Sequence, residues 1–206
     1  MRFSKRTVSW SQGPRNRGPA ADERTASEVE NIFATSGSLR RIREMQLAFD
    51  TPDRYGKGFD YTGYTVHDSA NLLLRYLLQL PVPVVPLEFY DRFRSPVIDY
   101  KSAGTSYLET AIRTYQSLIT EMPPLHRQLL LYMLDFLAVF ASKCDLNKMT
   151  TAKLAAIFQP GLLSHPEHRL LPNEQQLSQE VLIFLTENQD SFLIGMPGTA
   201  TNDETN

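Results

Sequence analysis

The chain has 206 residues, about the length of one domain, and its 42% apolar and 21% charged residues exclude the low-hydrophobicity, high-charge signature of a disordered chain. A net charge of −2, from 21 basic and 23 acidic residues, gives no overall pull towards nucleic acid or an anionic membrane. The single cysteine, Cys144, excludes an internal disulfide and a Cys-based metal site and suits a cytoplasmic, reducing setting.

Residues 1–27 read as a flexible basic arm, with Arg2, Lys5, Arg6, Arg15, Arg17 and Arg24 among Gly, Pro, Ser and Asn. Gly13, Pro14, Gly18 and Pro19 break the amphipathic helix that a mitochondrial presequence needs, and any membrane contact would be weak and confined to this arm. A domain is expected over 28–194 and a polar tail over 195–206. No membrane span is expected, because Arg75 and Asp135 interrupt the longest apolar stretches, Leu72–Leu80 and Leu129–Phe140.

Within the domain the apolar residues recur at helical spacing and none of the segments alternates as a strand, so the class is all-α. Ser38 is expected to cap a helix to about Phe49 with Leu39, Ile42 and Leu47 facing inwards. After a Gly-rich loop, a helix over about 66–79 carries leucines on nearly all sides and is expected to be central and buried. Pro81, Pro83 and Pro86 stop it, and a short helix follows near Leu87–Phe93. Ser106 and Glu109 have the spacing of a capping box for the next helix. A helix over about 125–142 carries Leu129, Leu130, Met133, Leu134, Leu137 and Phe140 inwards. Thr150–Phe158 is expected to end at Pro160 and Gly161, and Ser178 to cap a last helix with Val181, Leu182, Leu185 and Phe192 inwards.

Several chemistries are missing from the pattern. No phosphate-binding loop, dinucleotide fingerprint or nucleophile elbow is present, so the chain is not itself a GTPase. His165 and His168 could both touch a metal, but Pro166 separates them and no acidic or Cys cluster accompanies them; a solvated loop pair is expected. His67 and Asp68 read as first-turn capping residues, and His126 as a first-turn residue of its helix. Cys144 next to Lys143 has no evident His and Asp partners for nucleophilic work. Neither a metal nor a cofactor is expected.

Three stretches in order carry a family likeness. Asn31-Ile-Phe-Ala-Thr-Ser-Gly-Ser38 is similar to Gly-Ile-Phe-Arg-x-Ser-Gly-Ser, Leu77-Leu-Gln-Leu-Pro-Val-Pro83 to Leu-Arg-Glu-Leu-Pro-x-Pro, and Asn147-Lys-Met-Thr-Thr-Ala-Lys-Leu-Ala-Ala-Ile-Phe-Gln-Pro160 to Asn-Lys-Met-Thr-x-x-Asn-Leu-Ala-x-x-Phe-x-Pro. These resemble the signature blocks of Rho GTPase-activating (RhoGAP) domains over about residues 29–194. The loop Tyr55–His67 resembles the fungal form of the domain, which implies a fungal source.

The resemblance implies a compact bundle of about seven to nine helices that binds a Rho-type small GTPase in its GTP-bound form and promotes hydrolysis, acting as an activator rather than as an enzyme with its own substrate. Such domains present an arginine whose guanidinium stabilises charge on the transferring phosphoryl group, an effect of about 10³ to 10⁵ in rate. Ala34 stands at that position, so no catalytic residue carries over. A Lys and an Arg of the family fall on Leu74 and Leu78. The implied docking residues are Ala34, Ser36, Gly37, Leu74, Arg75, Leu78, Asn147, Lys148 and Pro160, with Asn147 equally readable as a turn residue. Activity is therefore expected to be weak, unless one of Arg40, Arg41 and Arg43 replaces the finger; the alternative is a pseudo-activator that binds without accelerating hydrolysis. An engineered Ala34 would not account for Leu74 and Leu78. The family's apolar first helix has no counterpart in the polar arm, so part of the Leu72–Leu80 helix is expected to be uncovered and the stability low, or the gap filled by a partner.

Overall fold

A computed structural model of the chain describes residues 26–52 and 54–192. Most of the expected arm, residues 1–25, and the tail at 195–206 lie outside them. Eight α-helices run in order: α1 Leu39–Asp50, α2 Val66–Leu78, α3 Tyr90–Ala103, α4 Leu108–Glu121, α5 Pro124–Ala141, α6 Cys144–Asn147, α7 Thr151–Leu162 and α8 Pro172–Glu187, with short 3₁₀ turns between some of them. Among the described residues there is no strand, so the all-α expectation holds.

α5 lies at the centre because its sequence is apolar on most sides. Leu130, Leu131, Met133, Leu134, Leu137 and Phe140 are all buried, and Pro124 starts the helix where a missing N–H costs nothing. α7 and α8 pack most extensively on one another and both meet α5, while α3 and α4 close the far side. Val181, Leu182 and Leu185 face this core as expected, and Phe192 reaches it from the 3₁₀ turn Gln189–Phe192. The buried guanidinium of Arg94 ties α3 to α8 through Glu174 and lies over the Tyr90 ring.

Several expectations fail, each for a local reason. Leu39 and Leu47 are 68% and 70% exposed, because α1 packs mainly against α2 and buries only the narrow stripe of Ile42 and Met45. Ser38 holds the N-cap position of α1, but its side chain makes no capping bond. α2 is not central: only Asp68, Ala70 and Leu77 are buried, and Leu72, Leu73 and Leu74 are half-buried. The expected capping box at Ser106 and Glu109 is absent, since Ser106 Oγ donates to the Ala103 carbonyl and Glu109 pairs with Arg113. The capping box forms at α2, between Thr65 and Asp68. Ser178 caps nothing; it is buried inside α8, donating to the Glu174 carbonyl and bonded to the Tyr90 hydroxyl. The short helix expected near Leu87–Phe93 is a 3₁₀ turn leading into α3, which runs on past Pro96.

α7 also runs through Pro160 and Gly161 instead of stopping there. Pro160 has no N–H to give the Ala156 carbonyl, so α7 forgoes one bond there and ends two residues later at Leu162. Gly161 lets α2 approach closely: a Cβ built there would lie 2.9 Å from Leu77 Cβ and 3.2 Å from its carbonyl carbon. Next to it the chain returns as a short extended stretch, with Val84 and Val85 N–H donating to the carbonyls of Gly161 and Leu162. Gly161→Ala is therefore expected to push α2 and α7 apart and destabilise the fold by about 1–3 kcal/mol in chemical denaturation; an unchanged midpoint would contradict the close approach.

Candidate functional site

The segment Val29–Ser38 forms a loop between the first 3₁₀ turn and α1, and its root is clamped from several sides. Asn31 has φ 53° and occupies the left-handed region, which favours glycine and next asparagine; this explains why the similar family motif begins with Gly. Its N–H donates to the Asn147 carbonyl at 2.7 Å, and its own carbonyl accepts from Ala34 and Thr35 N–H at 2.9 Å. Ile32 and Phe33 are buried, and the Phe33 ring lies edge-on to Phe136, Phe140 and Phe158 at 5.8, 4.9 and 5.0 Å. Held in this way, the tip at Ala34, Thr35 and Ser36 stays exposed.

The returning side of the loop is bound to α2. Asn71 Nδ2 donates to the Thr35 carbonyl at 3.1 Å, and His67 Nδ1 lies 3.2 Å from the Ile32 carbonyl oxygen. Gly37 passes so close that a Cβ there would lie 2.5 Å from Asp68 Oδ1 and 2.9 Å from its backbone, so only glycine fits.

Asp68 is the shared anchor. It is fully buried, and its carboxylate accepts from Ser38 N–H at 2.7 Å, Arg41 Nε at 2.7 Å, Thr65 N–H at 2.8 Å and the Thr65 hydroxyl at 2.9 Å. Burial by itself would raise this carboxyl; the hydrogen bonds from Arg41, Thr65 and Ser38 outweigh it and hold the pKa at about 2 instead of 3.8. His67 and Asp68 therefore sit in the first turn as expected, but Asp68 also does something the sequence reading missed, positioning the loop and α1. The Thr65-x-x-Asp68 spacing, a capping-box pattern, was the available signal.

The expected docking residues separate into three groups. Ala34, Ser36 and Gly37 lie on the loop. Asn71, Leu74 and Leu78 follow one another at three- and four-residue steps, so they form one stripe of α2 that begins beneath Thr35; Leu78 is 51% exposed. Pro160 is exposed beside the α2–α7 crossing, and Lys148 is exposed near the start of α7 with φ 60° and its Nζ donating to the Asp145 carbonyl. These seven expected residues thus lie on the loop, on α2 and at the two ends of α7.

Two expected residues do not join them. Asn147 is fully buried: its Nδ2 donates to the Ser27 and Phe140 carbonyls at 2.8 Å each, and its Oδ1 accepts from Met149 N–H at 2.7 Å. Its side chain is spent on holding a turn, the second of its two sequence readings. Ser27, assigned to the arm, is thus built into the fold. Arg75 turns towards α1 and lines a cavity there.

Arg41 is held by Asp68, and Arg40 pairs with Glu44 on the surface at 2.9 Å. Arg43 is exposed on the outer side of α1. His165 and His168, expected as a solvated pair, stack at half-buried positions on the Tyr90 ring, with centroids 5.2 and 5.4 Å away. His126 Nδ1 lies 2.9 Å from the Val84 carbonyl oxygen, at the start of α5. Cys144 is half-buried at the start of α6, and the adjacent Lys143 pairs with Glu28 at 2.7 Å. Among the described residues, no three His, Cys, Asp or Glu side chains group as metal ligands, and no helix is long and apolar enough to cross a membrane.

The described residues thus form an all-helical bundle with an exposed loop tip beside the Asn71–Leu74–Leu78 stripe of α2. The RhoGAP domain family matches residues 22–167, more than half of the chain, and the chain belongs to that family. It is 45% identical over 175 residues to Rho-GTPase-activating protein 5 of Schizosaccharomyces pombe, covering 85% of this chain and 47% of that protein. To Rho-GTPase-activating protein BAG7 of Saccharomyces cerevisiae it is 39% identical over 161 residues, covering 78% and 39%. The chain thus spans less than half the length of these two fungal relatives. Human Rho GTPase-activating protein 15 shares the fold, with TM-score 0.70 at 19% identity over 81% of this chain and 76% of that one. So does the BH domain of GRAF, the GTPase regulator associated with focal adhesion kinase, with TM-score 0.67 at 21% identity over 81% and 85%.

Two outcomes follow from this geometry. Because the Asp68 pKa is lower in the folded than in the unfolded chain, its contribution of about 2 kcal/mol is present above about pH 4 and lost as the pH falls towards 2. Asp68→Asn should lower stability by about 2–4 kcal/mol at neutral pH and flatten that acid-side loss in urea titrations; a variant with the wild-type profile would contradict the anchor. Asn147→Ala, which removes three buried hydrogen bonds, should cost about 2–4 kcal/mol on unfolding. A surface contact residue would leave the melting curve in place.

Proposed function

We propose that this chain is a regulator that docks on a Rho-type small GTPase in its GTP-bound form through the face built by the Ala34–Gly37 loop, the Asn71–Leu74–Leu78 stripe, Lys148 and Pro160, and that it accelerates hydrolysis weakly. The observation that carries the second half is the exposed methyl of Ala34 at the tip of an otherwise intact loop. The transition state of phosphoryl transfer needs positive charge close to the transferring group, and an alanine side chain has neither charge nor donors to offer.

A second reading, a binding module that holds the GTPase without accelerating hydrolysis, is favoured by a separate observation. The positions that resemble a family Lys and Arg carry Leu74 and Leu78, and Arg41, a candidate substitute, is already engaged by Asp68. The face therefore relies on apolar contact and exposed loop backbone, which supports binding more than charge stabilisation. The fungal relatives support a fungal source, and a cytoplasmic site of action fits a partner of this kind.

Single-turnover GTP hydrolysis by a panel of Rho-type GTPases, together with binding to their GTP-analogue forms, distinguishes the readings. The unaltered chain should bind and accelerate hydrolysis less than about tenfold, and Ala34→Arg should raise the rate by a further ~10² or more. Strong acceleration by the unaltered chain would overturn the finger-less reading; failure of both chains to bind any GTP-analogue form would overturn the docking face.

A further inference from the structure

A cavity of about 330 Å³ opens between the C-terminal half of α1, α2 and the loop that joins them. This is at the lower end of the volumes typical of small-molecule sites, about 300–1,000 Å³. Its walls are mostly apolar: Met45 and Phe49 from α1, Tyr61 from the connecting loop, and Leu72 and Tyr76 from α2. The Phe59 ring, itself edge-on to Tyr61 at 5.0 Å and near Phe49 at 5.9 Å, keeps that loop packed against α1.

One cation lines this apolar space. Arg75 Nε is buried without a hydrogen-bond partner, and the Arg75 guanidinium makes no ion pair among the described residues. An unpartnered guanidinium N–H out of reach of water is unfavourable by itself, and native structures leave few such groups. Asp50 also lines the cavity, but it is an exposed residue at the end of α1. The half-buried Arg75, with its Nε buried, thus gives the wall a positive group, and Asp50 lies at the exposed edge.

We propose that this cavity is a binding site for a small apolar acid, a single carboxylate or sulfonate on a hydrocarbon body, with the anion on Arg75 and the body against Phe49, Leu72 and Tyr76. A guanidinium supplies paired donors in the plane that a carboxylate needs, and desolvation strengthens each bond. Neutral hydrocarbons would leave Arg75 unpaired, and cations would be repelled by it. Nothing in this site depends on GTPase docking.

The test uses the full chain and the fluorescent probe anilinonaphthalene sulfonate, an apolar aromatic anion. Saturable binding at one site is expected, displaced by laurate and not by dodecylammonium. Arg75→Gln should weaken binding by about tenfold, the loss of one charge-assisted pair, and Asp50→Asn should tighten it by about twofold. Melting curves recorded in parallel establish that both variants stay folded. Absence of saturable binding, equal displacement by dodecylammonium, or an affinity unchanged in a folded Arg75→Gln variant would each overturn the proposal.

Discussion

The buried carboxylate of Asp68 is the constraint on which the loop, α1 and α2 depend. An ionised group removed from water is tolerable only when its lone pairs are used, and here Ser38, Arg41 and Thr65 use them together. Three segments that are separate in sequence are thereby fixed by one group. Gly37 is forced by the same packing, because any Cβ would enter the space of Asp68. The loop is held by the backbone of Asn31, Thr35 and Ser38 and by the side chains of Ile32 and Phe33. The side chain at the tip contributes nothing to this list. A chain of this architecture can exchange the tip residue for alanine and keep the loop.

What could be read from the sequence depended on how many residues carried each signal. α5 was legible because six buried apolar residues repeat over about three turns, and the ends of α2 because Pro81 and the glycines bracket it. Single polar residues misled. Ser178 and Ser106 have the chemistry of helix caps, yet one is buried inside α8 on Tyr90 and the other bonds back to Ala103, since a hydroxyl serves an internal carbonyl as readily as a terminal N–H. Pro160 was read as a stop, but α7 gives up one hydrogen bond there and continues to Leu162.

The site divided in the same way. The loop tip and the α2 stripe follow from motif order and from helical spacing. The burial of Asn147 does not, because its three hydrogen bonds reach Ser27, Phe140 and Met149, and the two residues upstream are 7 and 120 positions away. Asp68 was recognisable as a capping residue and not as a partner of Ser38 and Arg41, which lie 30 and 27 positions earlier. Long-range polar contacts of this kind have no period to reveal them.

α2 was expected to be enclosed because leucines occur on nearly all of its sides, and its actual exposure changes what those leucines do. Leu77 meets Gly161 in the core, Leu72 and Leu73 line the cavity beside α1, and Leu74 and Leu78 lie on the stripe that begins beneath Thr35. Ala34, Leu74 and Leu78 stand where the motifs that the chain resembles carry positive charge, so the proposed docking face would lack three such charges. Long-range charge mainly sets association rate and partner choice, while close apolar contact sets lifetime. On the proposed reading, a face altered in this direction would associate more slowly with a partner of opposite charge and offer no charge to the transferring group, while its apolar surface would still hold a partner once in place. That reading therefore favours retention over turnover.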